Sequence, residues 1–226
     1  MNREVFAMAP KVKGVIFDMD GLMFDTERIW DTFWVPCCRK LGLPDPPQEF
    51  YSGGRGLAGD GLRAHIAEFY GSAAGELLEE VWRYGDEQFD RGVPCKPGLK
   101  ELLEYLEQID LPRIVASSSP KAMIERNLQT TGTARYFHDV VCGYDVDKCK
   151  PDPAIFLEAA RRIGVDIHDC LVLEDSHNGV RAGHASGAVT VMVPDLMPVT
   201  GEMKTLYDFC CKDLYEVRAL MEAGTI

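Results

Sequence analysis

The chain has 226 residues, of which 46% are hydrophobic and 27% charged, with a formal net charge of −12. That size and balance describe a globular fold with a substantial core and no need for covalent staples. The acidic surplus argues against nucleic acid or an anionic membrane as the main partner, although a local cation or metal can still reverse the field at one site.

In chain order, the opening segment MNREVFAMAPKVKG carries no long apolar run and does not read as a signal peptide. No later segment reaches the ~18 apolar residues of a membrane span. The first strand signal covers 12–17 and ends in the polar turn Asp18-Met19-Asp20-Gly21. From 24 to about 92 the strand signals stop. Helical spacing appears at 27–41, 60–70 and 75–89, interrupted by Pro44-Asp45-Pro46-Pro47 and by Ser52-Gly53-Gly54-Arg55-Gly56. This predicts a helical insertion with Trp30, Phe33, Trp34 and Trp82 in its own core.

Pro94 and Pro97 mark the return to an alternating rhythm. A helix over 97–106 opens on proline, as first-turn positions allow. A strand over 113–116 follows and ends at Ser117-Ser118-Ser119. After it come a helix over 121–130, a strand over 139–142, a helix over 153–163 stopped by Gly164, and a strand over 170–173 ending at Glu174-Asp175. A helix over 178–185 stopped near Gly187 and a strand over 189–193 complete the series. Short apolar runs bounded by turn residues and alternating with helices predict an α/β fold with a Rossmann-like, mostly parallel sheet. The expected division is an α/β core over 1–23 and 93–226, with an all-helical cap over 24–92.

The eight cysteines form no CxxC pair and no zinc-like spacing. They read as reduced, mostly buried thiols of a cytoplasmic protein. The five histidines are assigned no role. Nothing in the sequence calls for more than a monomer.

Ligands of open α/β sheets bind outside the carboxyl ends of the strands. The residues expected there are Asp18 and Asp20 after the first strand, Ser117, Ser118 and Ser119 after the second, Lys150 after the third, and Glu174 with Asp175 after the fourth. Clustered carboxylates repel one another and raise each other's pKa, and a bound cation removes that conflict. Hard oxygen donors of this kind suit Mg2+. Hydroxyls and an ammonium suit phosphate oxygens. Together these are the parts that phosphoryl transfer needs.

Four segments in this order, Asp18-Met19-Asp20-Gly21-Leu22-Met23-Phe24-Asp25-Thr26-Glu27, Ser117, Lys150-Pro151-Asp152-Pro153 and Leu173-Glu174-Asp175-Ser176, resemble the motifs of the haloacid dehalogenase-like superfamily. The branch they resemble is the β-phosphoglucomutase-like one, with a helical cap after the first motif. The resemblance spans most of the chain. It implies that Asp18 is the nucleophile that becomes an aspartyl-phosphate and that Asp20 is the general acid and base. It further implies Ser117, Ser118 and Lys150 as phosphate-binding residues. Mg2+ would be held by Asp18, the Asp20 backbone carbonyl, Asp175 and Glu174. In the cap, Arg55 is the expected substrate contact, since a guanidinium between glycines can approach a ligand closely. Asp25 and Thr26 are expected to shape the cap hinge or a helix start.

The implied activity is hydrolysis of a small phosphorylated metabolite such as a sugar phosphate. The alternative is a β-phosphoglucomutase-type phosphomutase. The mutases carry a cap-hinge histidine, whereas this chain has Trp30 at that position and no histidine between Asp18 and His65. A dehalogenase needs neither Asp20 nor the acids of the fourth motif. A non-catalytic binding protein on the same scaffold is the remaining alternative, because fold alone does not fix function.

Overall fold

The computed structural model describes residues 11–55, 57, 59–90 and 92–226. The expectations placed on residues 1–10 and on Gly56 lie outside them. Strand β1 (Gly14–Phe17) is followed by four helices, α1 (Thr26–Lys40), α2 (Gln48–Gly54), α3 (Gly59–Tyr70) and α4 (Ala74–Phe89). Next come α5 (Leu99–Gln108), β2 (Arg113–Ser117), α6 (Lys121–Thr130), β3 (Val140–Cys142) and α7 (Ala154–Ile163). The chain closes with β4 (Cys170–Glu174), α8 (His177–Ser186), β5 (Val189–Met192), β6 (Phe209–Cys210) and α9 (Leu214–Glu222).

The six strands form one parallel sheet in the order β3-β2-β1-β4-β5-β6. The strands are apolar along nearly their whole length because both faces are covered. The twofold period of β1 sends Val15 and Phe17 into one core with Val115, Leu171, Leu173 and Val191. It sends Ile16 into a second core with Ile114, Ala116, Val172 and Phe156. The first core continues without a break into the helical layer, through Phe24, Phe33, Trp34, Phe50 and Phe89. In that layer α1 packs on α4, α3 on α4 and α2 on α3.

The register puts Phe17 of β1 opposite Val115 of β2 and Leu173 of β4. The residues just beyond those three strands therefore share one end of the sheet. β1 is also the central strand at which the chain turns first to one side and then to the other, the place where open α/β sheets form a crevice.

Three elements lie outside the sequence expectation. Helix α2 contains Ser52, Gly53 and Gly54, which the sequence reads as an interruption. It forms because packing outweighs propensity. Phe50 is buried against Trp34, with ring centroids 4.8 Å apart, and His65 lies so close that a Cβ on Gly53 would stand 2.8 Å from its Cε1. Strand β6 has two residues, too few to show a period. Helix α9 begins at Asp213, whose carboxylate accepts the Glu216 N–H at 2.9 Å, an N-cap that the spacing of the two acids encodes. One expectation is corrected. Trp34 is buried, but Trp82 is 44% exposed and belongs to a cavity wall instead of the core.

Gly98 enters α5 at φ +87, and a Cβ there would meet the Tyr215 backbone nitrogen at 2.3 Å. Both the left-handed backbone and the docking of α9 require glycine. Gly98→Ala should therefore lose about 1–3 kcal/mol of stability. An unchanged urea midpoint would refute this reading.

Candidate active site

The end of β1 is anchored by the Asp18 N–H, which donates to the Leu173 carbonyl at 3.0 Å. The chain then turns tightly, with the N–H groups of Met23 and Phe24 both donating to the Met19 carbonyl at 2.9 and 3.1 Å. Gly21 makes this turn at φ +82, and a Cβ there would stand 2.2 Å from Asp175 Oδ2. The turn thus presents Asp18 and Asp20 beside Asp175, which follows the neighbouring strand.

The Asp20 carboxylate is held from three sides. Thr26 Oγ1 donates to Oδ1 at 2.7 Å. Ser119 Oγ and Ser117 Oγ donate to Oδ2 at 2.7 and 3.2 Å. These donors come from the first residue of α1 and from the loop after β2. The side chain is thereby fixed between the sheet and the helical layer.

Lys150 is the central cation. Its Nζ donates to Asp18 Oδ1 at 2.5 Å, to Glu174 Oε1 at 2.7 Å and to the Ala116 carbonyl at 3.3 Å. Burial alone would lower its pKa, but the carboxylates of Asp18 and Glu174 outweigh burial and hold the ammonium above its ordinary value. Glu174 is fully exploited. Its Oε2 accepts the N–H groups of Asp175 and Ser176 and the Ser176 hydroxyl, each at 3.0 Å. Helix α8 lies so close that a Cβ on Gly179 would sit 1.7 Å from Glu174 Oε1.

Asp18 and Asp175 have pKa values well above the ordinary range. Burial is the main cause for both. Lys150 opposes it at Asp18, where Glu174 and Asp20 add to it, while at Asp175 the neighbours Glu174 and Asp18 reinforce it. Ligand oxygens of Asp18, Glu174 and Asp175 all lie within 4.8 Å of one another. Three buried carboxylates thus face one ammonium. A divalent cation fits this set, because it supplies the missing positive charge and prefers such hard oxygens. Glu174 is the weakest candidate ligand, since both its oxygens already accept hydrogen bonds.

A cavity of about 760 Å³ opens over these groups, lined by Asp18, Asp20, Ser117, Ser118, Lys150 and Asp175 among others. Of the sequence-predicted residues only Glu174 stays off the lining, beneath Lys150. Arg55 does reach the cavity, 3.3 Å from Asp31 Oδ2. The Thr26 expectation gains a definite partner in Asp20, and Asp25 pairs with Arg28 at 2.6 Å.

The sequence reading missed Glu27 and Asp31, which also line the cavity. Their signal was present: two acids one turn apart on a helix whose intervening Trp30 is apolar. Ser119, expected beside the site only as part of the loop after β2, donates to Asp20. Asp195 was also missed. Its side chain is almost wholly buried and accepts from Lys96 at 2.7 Å and Arg28 at 2.8 Å. Glu27 is pushed up to about 7, chiefly by burial and then by Asp20, Asp31 and Asp195, with Arg55 opposing.

A protein-family model described as haloacid dehalogenase-like hydrolase matches residues 12–187. The Drosophila melanogaster protein named "Probable pseudouridine-5'-phosphatase" is 36% identical over 82% of this chain and 83% of its own length. Hexitol phosphatase B of Escherichia coli K12 is 28% identical over 81% of this chain and 84% of its own. Among solved structures, β-phosphoglucomutase from Clostridium difficile superposes with a TM-score of 0.78 at 21% identity, covering 95% of this chain and 97% of that one. At that identity the likeness speaks to fold.

Because the folded-state pKa of Glu27, about 7, lies above its unfolded value of about 4.5, the folded chain binds this proton more tightly. The resulting stability is fully present below about pH 4.5 and is lost as pH rises through about 7. In chelator, wild type should therefore lose more stability between pH 4.5 and 8 than Glu27→Gln, by about 1–3 kcal/mol. Urea unfolding at both pH values checks this, and parallel pH dependences would refute it.

Proposed function

The chain belongs to the haloacid dehalogenase-like hydrolases, and from that footing we propose that it is a Mg2+-dependent phosphatase of a small phosphorylated metabolite, acting through an aspartyl-phosphate. The observation that carries the proposal is the buried Lys150 bridge between Asp18 and Glu174, set across from an Asp20 held by three hydroxyls.

In this reading Asp18 is oriented by Lys150 through Oδ1, which leaves Oδ2 to attack phosphorus. The ester P–O bond breaks as the new O–P bond forms, and Asp20 gives its proton to the departing alkoxide. In the second step Asp20 takes a proton from water as the water oxygen attacks phosphorus. The bond to Asp18 then breaks, releasing inorganic phosphate and restoring the carboxylate. Lys150 and Ser118 hold the phosphoryl oxygens, joined by Ser117 when its hydroxyl turns from Asp20, and the ammonium offsets their charge. Mg2+ would be held by Asp18, Asp175 and the Asp20 backbone carbonyl, and when bound it offsets the repulsion between anionic nucleophile and anionic phosphate. Glu174 serves by fixing Lys150.

The helical segment 24–92 acts as a cap that closes the cavity and chooses the alcohol. We set the phosphomutase reading second, because the motif resemblance puts Trp30 at the position where the mutases carry a histidine. All eight cysteines are free, in keeping with a reducing cytoplasm, and no helix among the described residues is long and apolar enough to cross a membrane. We place the enzyme in the cytoplasm as a monomer.

The test is a phosphate-release screen that includes ribose 5-phosphate, hexitol phosphates and pseudouridine 5′-phosphate. Asp18→Asn should lower turnover of any substrate found by at least ~10³-fold while still unfolding in one cooperative transition. Retained activity in that variant would remove Asp18 as nucleophile. Chelator should stop turnover and added Mg2+ restore it; full activity in chelator would sink the metal assignment.

A further inference from the structure

The two connections between the sheet domain and the helical layer run side by side. The Asp25 N–H donates to the Pro94 carbonyl at 3.0 Å and the Lys96 N–H to the Met23 carbonyl at 2.8 Å. With the antiparallel bridge between Phe24 and Cys95, they lace 23–25 to 94–96. Asp195 meets this ladder from the loop after β5. That loop is itself fastened to the sheet, since the Val193 N–H donates to the Glu174 carbonyl at 2.7 Å. Asp195 Oδ1 takes Lys96 Nζ at 2.7 Å and Arg28 Nη2 at 2.8 Å, one cation from each connection or the helix it enters. Asp195 Oδ2 is buried and has no partner among the described residues. An unpaired buried oxygen costs stability, a cost that a tie serving the fold alone would avoid.

Arg28 and Thr26 share the first turn of α1, and a helical turn moves as one body. Thr26 is fully buried. Its hydroxyl donates to Asp20 Oδ1, whereas Ser117 and Ser119 both donate to Oδ2. The Thr26 bond therefore sets the rotation of the Asp20 carboxyl. Resting on the phosphatase reading above, in which Asp20 protonates the departing alkoxide, we propose that Asp195 is a positioning residue for that proton transfer. It holds the first turn of α1 against the sheet through Arg28, and Thr26 in turn aims the Asp20 carboxyl at the leaving oxygen.

A positioning role and a purely structural one differ in which substrates register the loss. An alkoxide needs a proton to leave, whereas p-nitrophenolate leaves as the anion. At initial rates kcat/KM reports the steps up to that departure. The experiment measures kcat/KM for p-nitrophenyl phosphate and for the fastest alkyl phosphate of the screen above. The proteins are wild type, Asp195→Asn, Arg28→Gln, Thr26→Val and the double variant Asp195→Asn/Thr26→Val, each checked for one cooperative unfolding transition.

Asp195→Asn and Thr26→Val should each lower the alkyl value by roughly 10- to 100-fold, and the p-nitrophenyl value by less than about threefold. The double variant should lose no more than the worse single one, because both residues lie on one route. Arg28→Gln alters a half-exposed side chain and should show the same selective loss, which decides the matter where Asp195→Asn does not fold. Equal losses on both substrates, or no loss on either, would make Asp195 a structural brace and overturn the proposal. Losses that multiply in the double variant would do the same. In each of these cases the phosphatase reading stands. Absence of phosphate release by wild type from every substrate would overturn that reading, and this one with it.

Discussion

The ammonium of Lys150, buried between Asp18 and Glu174, is the interaction on which the rest of the site depends. Removing ions from water costs several kcal/mol each, and a buried pair survives only with close geometry and further hydrogen bonds. Both conditions are met. Glu174 is satisfied by two backbone N–H groups and a hydroxyl, and Lys150 also donates to a carbonyl. What the pair does not balance is Asp175. The cluster is left with more negative charge than one lysine can neutralise, and this is the electrostatic reason that it fits a divalent cation. The glycines follow from the same crowding. Gly21 and Gly179 are the positions where any side chain would occupy the space of Asp175 or Glu174.

The helical layer is tied to the sheet domain by contacts of unequal weight. Arg126 reaches Asp86 at 2.8 Å, but Asp86 is 65% exposed, and such pairs contribute about 0–1 kcal/mol. Asp195 differs. Its side chain is 3% exposed and is held by Arg28 from α1 and by Lys96 from the segment returning to the core. Removing either partner weakens the compensation of a buried anion. The ion pairs at Asp195 therefore tie layer to core more strongly than the pair at Asp86.

Much of this was legible in the sequence because the signals were local. Residues such as Val15, Ile16 and Phe17 announce a buried strand, and the acids, serines and lysine that follow such strands must meet at one end of a parallel sheet. The family resemblance then attached roles to them. What stayed hidden was set by tertiary packing. Helix α2 forms across two glycines because His65 fills the space they leave. Trp82 looked like core by composition, and its exposure follows from which face of α4 meets the cavity. Asp195 sits after β5 without any local mark, and its importance comes from Arg28 and Lys96, distant in sequence. Glu27 belongs to the first motif, yet its raised pKa comes chiefly from burial and then from Asp20, Asp31 and Asp195.

The hydrogen bond from Thr26 to Asp20 is short in sequence and long in consequence. The donor is the first residue of the helical layer, and the acceptor belongs to the sheet end. Hydrogen bonds tolerate only a few tenths of an ångström before they weaken. A rigid swing of the layer carries the Thr26 hydroxyl away with it, and the carboxylate then loses one of its three restraints. Were the helical layer to close as the proposed function requires, the joint would act as an interlock, coupling its angle to the aim of Asp20 at a single oxygen atom.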